Sequence, residues 1–154
     1  MAMLDITKLP SKILKKTLKT VDPKDIKNNS YVELVSGMKE AMIRNNGVGL
    51  AANQVGKDFA IFVIDSNVAK TNNVPEIYFN PEITEYSRES DEIEEGCLSI
   101  PEYFVPIKRS KKVMLKFVDE EGKKRKIKAR GFLARIYQHE TDHLNGLAIK
   151  DRVD

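Results

Sequence analysis

The 154 residues hold no tryptophan, a single cysteine and two histidines. One cysteine excludes an internal disulfide framework and suits a reducing compartment. No apolar run approaches the roughly 20 residues of a membrane-spanning helix. The opening MAMLDITKLPSKILKK is too charged for the apolar stretch of a secretory signal, so a cytoplasmic protein with no membrane contact is expected. Neither an internal repeat nor a linker interrupts the chain. A length of 154 residues fits one domain with a substantial core.

Charge of one sign is not in excess overall: 26 basic against 23 acidic residues leave +3. The charges are segregated, however. Seven lysines and two aspartates lie between Lys8 and Lys27, nine acids and one arginine between Glu76 and Glu102, and eleven basic residues with three acids between Lys108 and Arg130. Solvated faces of helix and hairpin account for the basic stretches, and a ribosome surface is the alternative partner. No recognised nucleic-acid module or aromatic interleaving accompanies them, so specific nucleic-acid recognition is not expected.

Both histidines fall in Gln138-His139-Glu140-Thr141-Asp142-His143-Leu144-Asn145-Gly146. Four residues on a helix bring the second imidazole to within about 40° of the first. That is the H-E-x-x-H arrangement, in which two imidazoles hold a metal and the glutamate handles protons. A third ligand does not follow: after His143 the only carboxylates are Asp151 and Asp154, and Gly146 suits a left-handed helix end. Cys97, in Glu95-Gly96-Cys97-Leu98-Ser99, is the natural third donor. Two imidazoles and one thiolate leave the fourth tetrahedral position to water, as in catalytic rather than structural sites. Asp142 is placed to orient a histidine or to serve as a solvated charge. Arg135 is expected to pair with the acids before Cys97.

A second stretch, Gly47-Val48-Gly49-Leu50-Ala51-Ala52-Asn53-Gln54-Val55-Gly56, is dense in small residues, which let backbone or ligand approach closely. It lacks the lysine-serine or lysine-threonine pair of a phosphate loop and the third glycine of a dinucleotide fingerprint. Gln54 is a neutral amide in an apolar run, to be locked in a network or aimed at a substrate.

Periodicity predicts a helix over residues 30–44, capped by Ser30 with Glu33, and a buried strand over 59–64. A strand over 77–83 should be at an edge or broken at Asn80-Pro81. Pro23 should break the opening segment. Pro101 and Pro106 bracket a short extended piece, strands 112–118 and 123–128 flank a turn at Asp119-Glu120-Glu121-Gly122, and a closing helix begins near Gly131. The fold class is α+β, with mixed or antiparallel sheets around a central C-terminal helix carrying the histidines.

Gly47 to Gln54, Glu95 to Ser99 and Gln138 to Gly146, in this order, resemble the peptide deformylase family, and LPSKILKKTLKTV is similar to its N-terminal segment. The resemblance implies one catalytic domain over residues 1–154 that removes formyl from the N-terminal formylmethionine of nascent polypeptides. It implies one divalent ion on Cys97, His139 and His143, expected to be Fe(II), with zinc, nickel or cobalt as substitutes. Glu140 would be general base, with Gln54 and the Leu98 N–H stabilising charge on the formyl oxygen. Val48, Gly49 and Gly96 would line the peptide, Val48 and Gly49 pairing with it as an added strand, while Val48, Phe132 and Ile136 form the methionine slot. The chain stops at Asp154, where many bacterial members carry an extension used on the ribosome, so the resemblance is to a minimal form like the short members of some phages. An arginine that several members carry after the Pro101-Glu102 pair is replaced by Tyr103 and Phe104. The alternatives are another H-E-x-x-H metallohydrolase, which cleavage of internal peptide bonds would support, and a non-catalytic metal-stabilised binding module, from which Glu140 discriminates the enzyme.

Overall fold

The computed structural model describes residues 3–153, and every strand pairing in it is antiparallel. After a short 3-10 turn at Lys12–Lys15 come α1 (Pro23–Lys27) and α2 (Val32–Arg44). Strand β1 (Gly49–Ala51) leads through a 3-10 turn (Ala52–Val55) to β2 (Ile61–Ile64), α3 (Ser66–Asn72) and β3 (Ile77–Tyr86). Then follow β4 (Ser90–Cys97), β5 (Ile100–Ser110), β6 (Lys112–Val118), β7 (Lys124–Arg130) and α4 (Gly131–Leu144), with a last 3-10 turn at Ile149–Arg152. Five strands form one sheet in the order β1-β2-β3-β6-β7, and β4 and β5 form a separate hairpin.

The inward face of the large sheet follows from alternation. Val113, Leu115 and Phe117 point inward from β6, as the sequence predicts, and all of β2 is buried. Helix α4 is central because it joins this core: Tyr137 and Tyr78 are fully buried and share a hydroxyl hydrogen bond. Tyr78 also stacks on Phe62 at 4.8 Å and meets Phe117 at 4.7 Å. Such aromatic pairs contribute about 0.5–1.5 kcal/mol each beyond the area they bury. They fix α4, and with it the histidines, against the sheet.

Two expectations hold and two are corrected. Pro23 ends the opening segment and starts α1, at the position where a missing N–H costs nothing, with Asp22 as cap. Ser30 does not cap α2, which starts after Tyr31 with no side-chain cap. Of the two alternatives for strand β3 the second holds: it is the middle strand of the sheet and is interrupted at Asn80-Pro81. Its register against β6 shifts between Phe79 and Glu82, and Asn80 takes a left-handed conformation (φ 49°). The Asn80 side chain is bonded in both directions to the backbone of Val21, at 2.7 and 2.8 Å, which holds this bulge to the N-terminal segment. Finally, the piece bracketed by prolines is not short, since β5 runs eleven residues.

Candidate metal centre

Three elements deliver the site. The hairpin β4–β5 turns through Leu98 and Ser99 alone, Cys97 pairing with Ile100, so Cys97 is held at the tip. Beyond it the register jumps, Gly96 facing Phe104, and Glu102 adopts a left-handed conformation (φ 61°) in the resulting bulge. Helix α4 carries His139 and His143, with ring centroids 5.0 Å apart. Several of its buried polar side chains find partners from other elements. Gln138 donates to the Ser110 carbonyl at 2.9 Å and accepts from the Ser110 N–H at 3.0 Å, tying the helix to the end of β5. Asn53 donates to the His143 carbonyl at 2.7 Å, tying the helix to the turn after β1.

One donor atom each from Cys97, His139 and His143 falls within 4.8 Å of the others, and Cys97 Sγ is 3.3 Å from His143 Nε2. This donor set fits a divalent transition metal: two imidazoles and one thiolate, with the His143 Nδ1 and Glu140 Oε1 atoms buried without a protein partner. Burial, with the field of His139 and Arg109, pushes the His143 pKa well below the ordinary histidine value, keeping a neutral imidazole ready as a ligand. Burial also opposes charge on His139, but the hydrogen bonds to Cys97 and Glu95 prevail and raise it to about 10.

The carboxylate that orients a histidine is Glu95, not Asp142. Glu95 Oε1 lies 2.9 Å from His139 Nδ1, which leaves His139 Nε2 for the centre. Burial would raise the Glu95 pKa, but hydrogen bonds from His139 and Arg109 outweigh it and hold it at about 2. Arg109 reaches both Glu95 oxygens at 3.0 Å and donates to Asp142 at 2.6 Å. Asp142 is engaged by Arg109 and Arg152 instead of a histidine. Arg135 pairs with Asp91 at 2.8 Å and with Glu95, as the acids before Cys97 led us to expect. The motif Glu95 to Ser99 pointed to this glutamate but gave it no partner, because β4 and α4 are distant in sequence.

Glu140 is buried beside the ligands, and burial pushes its carboxyl up to about 7. Gln54 is locked and aimed at once: its oxygen accepts from Ala51 N–H at 3.0 Å, while Nε2 lies 3.2 Å from Ser99 Oγ and 3.6 Å from Cys97 Sγ. A cleft of about 650 Å³ opens over these groups. Val48 and Gly49 border it from the start of the edge strand β1 and the residue before it, Gly96 and Leu98 from the hairpin, and Phe132 and Ile136 from α4. A side chain at Gly49 would meet Glu140 Oε2 at 2.7 Å, and one at Gly96 would enter the Phe104 ring. Both glycines are there for close approach. Of the candidate ligand, catalytic and peptide-binding residues named from sequence, all but His143 border this one cleft, and His143 lies 3.3 Å from Cys97 Sγ through Nε2.

Comparison with known proteins agrees with this geometry. The sequence model of the family described as polypeptide deformylase matches residues 3–154. The chain belongs to the polypeptide deformylase family. A peptide deformylase of Prochlorococcus marinus subsp. pastoris is 43% identical over 150 residues, covering 97% of this chain and 73% of that one. The crystal structure of peptide deformylase from Thermotoga maritima superposes with a TM-score of 0.89 at 39% identity, covering 100% of this chain and 99% of that one. An actinonin-bound class I type b peptide deformylase from Acinetobacter baumannii gives 0.90 at 34%, with 100% of both chains covered. The α+β fold and the deformylase activity, hydrolytic removal of the N-formyl group from nascent peptides, follow from this membership. The family is metal-dependent, and Cys97, His139 and His143 form the one such cluster found among the described residues.

Proposed function

We propose that residues 1–154 act as one catalytic domain that hydrolyses the formamide of formylmethionyl peptides at the Cys97–His139–His143 centre. The observation that carries this reading is the convergence of those three donors, with Cys97, His139 and buried Glu140 lining one cleft. Cys97, His139 and His143 would hold one divalent ion, Fe(II) by family expectation, with zinc, nickel or cobalt able to replace it. When bound, the ion supplies Lewis acidity toward water and the formyl group.

The chain's own residues do the rest. Glu140, its pKa raised to about 7, takes a proton from the attacking water and returns it to the leaving amine. The Gln54 Nε2 and the Leu98 backbone N–H donate to the formyl oxygen as charge gathers there. Gln54 does this without reorganisation because Ala51 and Ser99 already hold its amide. Val48 and Gly49, at the start of an edge strand whose free side borders the cleft, pair with the extended peptide as an added strand. Gly96 keeps the opposite wall thin, and Val48, Phe132 and Ile136 receive the methionine side chain. Glu95 holds His139 in one tautomer, with its donor-free nitrogen toward the ion.

The compartment we assign is the cytoplasm, where the ribosome surface is the partner that presents new chains. A free, half-buried Cys97 supports a reducing setting, and no described helix is long and apolar enough to cross a membrane. The test is formate release from formyl-Met-Ala-Ser by protein purified without oxygen and loaded with Fe(II) or Ni(II). Rapid release, with cleavage of internal peptide bonds undetectable, is expected. Metal-loaded protein that releases no formate would refute the reading.

A further inference from the structure

The basic stretch from Lys108 to Arg130 looked in sequence like ordinary solvated charge, but the strand register changes its meaning. On the outward face of β6 and β7, Lys112 stands directly opposite Arg130 and Lys116 opposite Lys126, while Lys128 faces Met114 and Lys124 faces Val118. Like charges placed directly across a sheet repel, and a face selected only for stability would alternate signs. Neither strand contributes an acid to relieve them. None of these six cations takes part in an ion pair among the described residues, and all six are exposed. The acids nearest the patch are Glu82, opposite Lys116, and Glu85, opposite Met114, both on β3, with Glu120 and Glu121 in the turn at the far end of the hairpin. Glu82 and Glu85 border the patch on one side. On the other side β7 is the free edge of the sheet.

We infer that the outer face of the β6–β7 hairpin binds the sugar–phosphate backbone of RNA. Alternate residues on a strand are about 6.8 Å apart and neighbouring strands about 4.8 Å. Lys124, Lys126, Lys128 and Arg130 therefore form a row about 20 Å long, with Lys112 and Lys116 beside it, a strip matched to a run of phosphates rather than to a single anion. No aromatic side chain lies on this face of the two strands, so bases are not stacked and sequence is not read. Position gives the strip a use. Arg130 ends β7 and is followed at once by Gly131 and Phe132, which border the substrate cleft. RNA held along β7 would lie at the cleft mouth, where a nascent chain arriving from a ribonucleoprotein enters. The inference rests on the nascent-chain reading for its purpose, but binding and turnover are measured separately.

The test is fluorescence anisotropy of a labelled 20-nucleotide RNA of mixed sequence with the full, metal-loaded protein, titrated with salt. Six phosphate contacts give a slope of log affinity against log salt of about −4, or roughly a 300-fold loss between 50 and 200 mM. Lys126→Glu with Lys128→Glu should shrink that slope by at least about 1.4 and weaken binding tenfold or more. Lys126→Gln with Lys128→Gln should do so more mildly. Lys57→Glu with Lys70→Glu, an equal charge change elsewhere on the exposed surface, should leave the slope unaltered. Formate release from a formyl tripeptide should be unchanged in all four proteins. Absent RNA binding, equal loss in the Lys57/Lys70 protein, or binding as tight to polyglutamate or to phosphatidylserine vesicles would overturn the inference. Lost formate release in every protein would instead count against the deformylase centre.

Discussion

Replacing Glu95 by alanine should damage stability and metal binding together, because one carboxylate does two tasks. It accepts from Arg109 through both oxygens at 3.0 Å, from Arg135, and from His139 at 2.9 Å, with side-chain exposures of 4 to 13% among the four groups. Removing it strands two buried guanidinium groups. Breaking one buried pair costs about 3–5 kcal/mol. Asp142 still serves Arg109, and half-exposed Asp91 still serves Arg135, so the lower end, about 3 kcal/mol, is expected. At this chain length that corresponds to a fall in Tm of about 6–12 °C. His139 meanwhile loses its orienting acceptor, which should weaken metal binding about 10- to 100-fold. Urea denaturation of the metal-free protein reads the first effect, and competition with a chelator reads the second. Aspartate at 95, too short to span both partners, should fall between. A Glu95→Ala protein within 1 kcal/mol of wild type that binds metal as tightly would refute the reasoning.

Three substitutions probe the cleft and its supports. Gly49→Ala forces Glu140 to move, since the new Cβ would lie 2.7 Å from Oε2, 3.0 Å from Cδ and 3.1 Å from Cγ; steady-state kinetics should show kcat down about 100-fold with metal content intact. Gln54→Ala removes one donor to the formyl oxygen and should lower kcat about 10²–10³-fold, whereas an unaltered kcat would remove Gln54 from the chemistry. Gly146→Ala should reduce stability without touching the centre. Its left-handed φ of 78° alone costs a non-glycine residue about 1–2 kcal/mol, and the added Cβ would press on the Lys15 backbone at 2.6 Å. Thermal denaturation should show this, and an unchanged Tm would contradict it.

Helix α4 was legible because its signals are local: apolar Leu133, Ile136 and Leu144 at helical spacing, and glycines near both ends, Gly131 and Gly146, that take positive φ. The hairpin β6–β7 was legible for the same reason, through alternation and a turn around Gly122. The three clustered donors were legible because histidine and cysteine are so few. Long-range pairing was not. Strands β4 and β5 are rich in charge or interrupted by proline, and few of their residues are buried, so no period-two apolar signal marks them. Glu95 could not be told from its acidic neighbours until the hairpin carried it to His139, and the nearby Asp142 drew the wrong inference because a carboxylate inside the motif looked closer than one 44 residues away. For strand β3 Pro81 left two alternatives, an edge or a break, and the pairing shows the break: the missing N–H is absorbed by a bulge in the middle of the sheet. The like-charge pairing on β6 and β7 likewise exists only once register is known.

The most direct test of the central claim is Glu140→Ala, assayed for metal content and formate release side by side with wild type. Glu140 touches no other buried element through Oε1 and is not among the three metal donors. The account predicts one divalent ion per chain in both proteins and release abolished in the variant. Turnover that survives the substitution with metal bound would contradict it.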